Sequence, residues 1–255
     1  MRTLPTFFLF LLAQSIVGQT NSRFVGDAAC EKCHAAVQHS ESSSLHSKIF
    51  QAANHETVRG NFAAGRLDLR GSAYVVQYRN GKYYITESEL NGKLWEHVVD
   101  YTLGARRVQH YLTTLPDGRI VVLPPTWDIV RKEWVHNLDV ENPEETAGPE
   151  IQVWNKACYG CHVSAENKNF DLSQTRYRTT WLDMGAGCEQ CHGAGGEHVQ
   201  AASVNVLNAE TRARIRDTIL NPARLDPLRS STICAQCHSF RDIYAASFKA
   251  GGNYS

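Results

Sequence analysis

Eight cysteines fall into four copies of one pentapeptide. The copies are Cys30-Glu-Lys-Cys33-His34, Cys158-Tyr-Gly-Cys161-His162, Cys188-Glu-Gln-Cys191-His192 and Cys234-Ala-Gln-Cys237-His238, and no cysteine is left over. Two thiols one helical turn apart lie on one face and can add across the two vinyl groups of a single porphyrin. The histidine directly behind the second thiol then meets the iron as its proximal ligand. Cys-x-x-Cys-His is the attachment signature of c-type haem. The expected cofactor complement is four covalently bound haem c groups with their iron. Their attachment residues are Cys30, Cys33, Cys158, Cys161, Cys188, Cys191, Cys234 and Cys237, and their proximal ligands His34, His162, His192 and His238. Paired Cys-x-x-Cys elements also build zinc sites, and a single one can be a redox dithiol. Neither requires a histidine behind each pair.

What fills the sixth position of each iron decides function. A second imidazole makes a saturated electron-transfer centre, whereas an open position admits a substrate. Seven further histidines are available: His39, His46, His55, His97, His110, His136 and His198. That number permits a second imidazole on all four haems without compelling it. Met184 is the one methionine beyond the N-terminal residue and sits only four residues before Cys188. His46 follows His34 far enough for the chain to turn back over a porphyrin. Glycines 185, 187, 193, 195 and 196 flank the third motif, where a missing side chain lets backbone pass close to a flat macrocycle.

The elements that must hold these residues read as an α+β fold with much irregular coil. Short helices are expected to pack around four covalent haems, with a small antiparallel β insertion between the first haem and the other three. Residues 19–66 form the first haem segment, 67–125 the small β unit and 126–255 the three-haem segment. Tyr74–Tyr78 and Lys82–Thr86 are β-rich runs around Asn80-Gly81, a strong hairpin signal. Pro116-Asp117-Gly118 turns into a further strand at Arg119–Leu123. Helices are expected over 28–50 with a break near 42–44, over 127–134, and over 209–220 as a charged surface helix; 142–149 reads as loop.

Charge and composition narrow the partners and compartment. The 255 residues carry 26 basic and 26 acidic side chains, so nothing points to nucleic acid or to an anionic membrane. Hydrophobic content is 42% and mean hydropathy is negative, and four porphyrins would supply apolar interior. Residues 1–18 hold one positive charge, a short apolar run and a small residue at the end, the pattern of a secretory signal peptide. The run is too short to span a bilayer, and no later stretch could span one. A periplasmic or extracellular location follows.

The order of pieces resembles the tetrahaem cytochrome c-554 family and its larger multihaem relatives. The likeness begins at Cys30-x-x-Cys33-His34 with Ser44-Leu45-His46. It continues through Gly104–Leu112, Asp117-Gly118-Arg119, Leu123-Pro124, Trp127-Asp128 and Trp134-Val135-His136. It then takes in Trp154–Cys158, Thr179-Thr180-Trp181 and Cys188–Gly193, and so covers nearly the whole chain after the leader. The resemblance implies an exported, mostly bis-histidine electron-transfer protein with His46, His136 and His198 as distal ligands. His55, His97 and His110 stand as weaker candidates for the fourth. Larger relatives continue into further haem motifs or tetratricopeptide repeats, so this chain reads as a short form or a fragment, and a neighbouring subunit could donate a ligand.

Three functions compete on these residues. The first is an electron carrier between redox donor and acceptor proteins, its closely spaced haems tuned by ligands and burial. The second is a multihaem reductase with one open haem acting on a small nitrogen or sulfur compound, for which acid/base groups would be needed. No such constellation is visible, so a carrier rather than a catalyst is expected. The third is a subunit of an extracellular polymeric conduit.

Overall fold

The computed structural model describes residues 23–88, 93–141, 152–204, 206, 208–239 and 250–252. The expected signal peptide at 1–18 and the expected loop at 142–149 lie outside them. The chain opens with a helix at Asp27–Ser42 (α1), kinked at His34, and passes into nine strands. These are β1 Phe50–Ala52, β2 Gly65–Leu69, β3 Ser72–Arg79, β4 Lys82–Ser88, β5 Leu94–Val98, β6 Tyr101–Leu103, β7 Val108–Thr114, β8 Ile120–Asp128 and β9 Glu133–His136. Short helices follow at Asn137–Glu141 (α2), Trp154–Ala157 (α3) and Tyr159–His162 (α4). Two small ribbons come next: Val163–Ser164 (β10) pairs with Asp183–Met184 (β13), and Phe170–Asp171 (β11) with Arg176–Tyr177 (β12). The last helices are Cys188–His192 (α5), Gly196–Ala202 (α6), Ala209–Asp217 (α7) and Pro227–Ala235 (α8).

The body of the molecule is β structure, which overturns the expectation of short helices packed around haems with only a small β insertion. A five-stranded antiparallel sheet runs β1-β6-β7-β8-β9, and a four-stranded one runs β2-β3-β4-β5. The expected hairpin forms between β3 and β4, with Asn80 and Gly81 both at positive φ (50° and 76°), as a primed turn demands. The stretch expected as a helix at 127–134 is instead the end of β8, a turn, and β9, with Trp127 opposite Trp134. Aromatic residues alternating across a strand pair fill a pleated interior better than a helix face. Pro124 and Pro125 hide β8 in the sequence, because proline lacks the ladder N–H. The sheet absorbs them where its register shifts between His110 and Leu112.

Both hydrophobic cores use this sheet. One face of the five-stranded sheet gives Tyr111, Leu123 and Trp127 to a core with Phe62, Tyr74, Val76, Ile85 and Val99, roofed by the four-stranded sheet. The other face gives Phe50, Leu112, Ile120 and Val122 to a core shared with Trp154 and Val163, which flank the second Cys-x-x-Cys-His, and with Tyr159 inside it. The five-stranded sheet is thus a middle layer between the smaller sheet and the motif-bearing segments. Asn155 locks that junction: its Oδ1 accepts the Ile120 N–H at 2.6 Å and its Nδ2 donates to Thr179 Oγ1 at 2.8 Å. Helices α1 and α7, by contrast, bury none of their own residues. No helix among the described residues is long and apolar enough to cross a membrane.

Candidate functional site

The four Cys-x-x-Cys-His motifs, spread over two hundred residues of sequence, come together on one side of the middle sheet. The pairs that span a turn are visible in the backbone: Cys161 N–H donates to Cys158 O at 3.2 Å and Cys237 N–H to Cys234 O at 3.1 Å. Spacer residues tie the motifs to one another. Gln190 of the third motif donates to Gly160 O and Val163 O at the second (3.5 and 3.3 Å). Gln236 of the fourth donates to Gln190 O at 2.7 Å, and its own carbonyl faces Cys161 Sγ at 3.7 Å. Asp27, at the head of α1, accepts the Cys188 N–H at 2.9 Å. The Cys30 and Cys188 thiols lie close enough to influence each other, so the first and third motifs meet there. The third motif therefore contacts all three others.

Burial first, then the Glu189 and Asp27 carboxylates, push the Cys30 thiol up. Burial and the Asp27 side chain push Cys188 up much further. Both thiols are neutral at ordinary pH, since low dielectric and adjacent negative charge disfavour a thiolate.

Two histidine pairs face each other across gaps of similar width. The ring centroids of His34 and His198 are 6.3 Å apart with planes 20° from parallel. Those of His46 and His238 are 6.1 Å apart at 72°. A metal–nitrogen bond of about 2 Å plus about 1.1 Å from nitrogen to ring centre, taken twice, puts two imidazoles on one metal roughly 6 Å apart. Each pair joins a proximal histidine of one motif to a distal candidate from another segment. Second partners hold the rings: His198 Nδ1 sits 3.0 Å from Ile215 O and His192 Nδ1 2.8 Å from Leu220 O. A carbonyl can only accept, so Nδ1 carries the proton and a neutral ring keeps its Nε2 lone pair for a metal.

His162 is held neutral by its surroundings. Burial, and then the neighbouring His110, lower its pKa to about 4, and its buried Nδ1 has no hydrogen-bond partner. His110 reaches it from β7, on the sheet face that also presents Leu112 to the second motif, and its Nδ1 sits 2.9 Å from Thr126 Oγ1. The structure does not bring His136 to this cluster. It ends β9 two residues after Trp134, so it shares the face turned toward the smaller sheet, where its ring lies 6.5 Å from that of Tyr74. Its Nδ1 accepts the Leu138 N–H at 3.2 Å. His97 stands in β5 opposite Ile85, His55 is exposed beside Glu56, and Met184 pairs with Val163 in a ribbon.

Two of the glycines flanking the third motif, Gly185 and Gly196, admit other backbone. A Cβ on Gly185 would lie 2.4 Å from Ser47 O and 2.8 Å from His46 O, and one on Gly196 would lie 2.6 Å from Arg23 O. Sequence reasoning missed the spacer residues Glu189, Gln190 and Gln236, because nothing in a Cys-x-x-Cys signature marks which x turns inward. No disulfide joins any of the eight cysteines. No three His, Cys, Asp or Glu side chains among the described residues converge to hold a metal by themselves, as a four-ligand zinc site would need. A haem asks for only two imidazoles and two thiols, and the residues present fit it.

The family model for cytochrome c554 and c-prime matches residues 131–193, the span that holds the second and third motifs. The match supports a c-type cytochrome with a haem-based electron-transfer role, covalently bound haem c and redox partners. No curated protein and no solved structure gave a match.

Proposed function

We propose that this chain is an exported tetrahaem c-type cytochrome that passes electrons between redox partner proteins in the periplasm or outside the cell. Each Cys-x-x-Cys-His holds one haem, through Cys30 and Cys33, Cys158 and Cys161, Cys188 and Cys191, and Cys234 and Cys237. The observation that carries the reading is the facing of His34 by His198 and of His46 by His238 at spacings that suit one metal each. His110 is the distal partner of His162. His136, turned toward the smaller sheet, packs rather than ligates. Bound haem supplies a one-electron iron couple. The chain's share is to fix ligand orientation and exclude water, and the links through Gln190, Gln236 and Asp27 hold the four sites in one compact unit.

One observation favours a second reading. His192 is oriented by Leu220 O, is exposed, and no ring packs against it among the described residues. A neighbouring copy could supply its second imidazole, which would link coordination to polymerisation. Electron paramagnetic resonance of the ferric protein, with carbon monoxide titration of the ferrous form, tests both. Three low-spin centres that refuse carbon monoxide are expected. A fourth that binds it in isolated chains but not in assembled material supports the donated ligand. Carbon monoxide binding at most of the haems would contradict the carrier and favour a reductase.

A further inference from the structure

Glu189 is 3% exposed, yet no cation among the described residues pairs with its carboxylate. Among the described residues its oxygens accept from backbone N–H groups alone: Val25 at 3.1 and 3.0 Å, Gly26 at 2.8 Å and Gly195 at 2.6 Å. A buried charge persists only where such donors replace water. The three amides belong to two separate segments. Val25 and Gly26 lead directly into α1, which carries His34. Gly195 leads into α6, which carries His198. A second clasp joins the same segments, since Gly196 N–H donates to Arg23 O at 2.9 Å. Glu189 itself is the first spacer of the third motif, so it belongs to a different haem.

We infer that Glu189 is a positioning residue for the first haem: by gathering the amides of Val25, Gly26 and Gly195, it sets the separation of His34 and His198. This rests on the reading that those two imidazoles share one iron. The residue touches neither ring and acts through the two backbones. A glutamine in its place would turn an N–H₂ toward amide donors, leaving two donors face to face at a buried site. An aspartate keeps the charge and falls one methylene short.

The test compares the haem-loaded wild type with E189Q, E189D and H198A by electron paramagnetic resonance and by backbone hydrogen exchange. H198A identifies the signal of the first haem as the one it abolishes. The inference expects E189Q to keep all four haems, to shift or broaden that same signal and leave the others alone, and to lose exchange protection at Val25, Gly26 and Gly195. E189D should restore the signal in part. An unchanged spectrum in E189Q overturns the inference, as does a change confined to a signal that H198A leaves intact. So does equal loss of all four signals in both Glu189 variants, because positioning acts on one centre. A wild type without haem signals would instead contradict the functional reading, and the exchange measurement would still report on the clamp.

Discussion

At the level of single side chains, the histidines divide by what holds Nδ1. His192 and His198 donate to carbonyls, whereas His162 depends on burial and on His110. His110→Ala should therefore open the site on His162 and add one carbon monoxide per chain to the ferrous protein; an unchanged titration would remove His110 from the ligand set. Asn155 works at the other end of the same core. Its removal leaves the buried Ile120 N–H unpaired, which costs about 1–3 kcal/mol. Asn155→Ala should lower the denaturation midpoint accordingly without altering the haem spectra. The four Cys-x-x-Cys-His motifs stand out in the sequence because covalent haem attachment would fix their spacing. His46 and His198 were expected from the resemblance, whereas the positions of His110 and His136 were not legible, since a sheet face brought His110 beside His162 and turned His136 toward Tyr74.

Elements decide how closely those side chains approach. Gly185 has φ of +81° and lies against the backbone of His46 and Ser47. A methyl group there meets both strain and a carbonyl, and Gly185→Ala should cost more than about 1 kcal/mol and perturb the low-spin signal that His238→Ala abolishes. A spectrum equal to wild type would show that the close approach is not what places His46. In the smaller sheet, burial lowers the pKa of His97 in β5. The unfolded chain then binds the proton more readily, so the contribution of this residue to stability is full above about pH 6.5 and declines as pH falls through the folded value. Urea midpoints at pH 7.5 and 5.5 should fall further for the wild type than for His97→Gln. The β3–β4 hairpin could be read from Asn80-Gly81. By contrast β1 and β6 are three residues each, and β8 carries two prolines, so pattern alone did not disclose a five-stranded sheet.

Across the whole molecule, most of the apolar interior belongs to the sheets, and the first, third and fourth cysteine motifs gather outside its two main cores. Of the four motifs, only the second enters the cores built on Tyr74, Val76, Ile85 and Tyr111 and on Phe50, Leu112 and Trp154, giving Tyr159 to the latter with Cys158 packed against it. Protein produced without haem maturation should keep its strand circular dichroism and lose much of its helical signal. Loss of both together would show that the sheets depend on the motif-bearing segments. The expectation of a helical cage arose from counting four porphyrins as the missing core. In fact the strands between the first and second motifs already bury enough aromatic surface to form one. The most direct measurement is the mass of the denatured mature protein from a host able to attach c-type haem. The account predicts the polypeptide plus four haems, with all eight thiols blocked to alkylation. The bare polypeptide mass with eight reactive thiols, or zinc in place of iron, would contradict it.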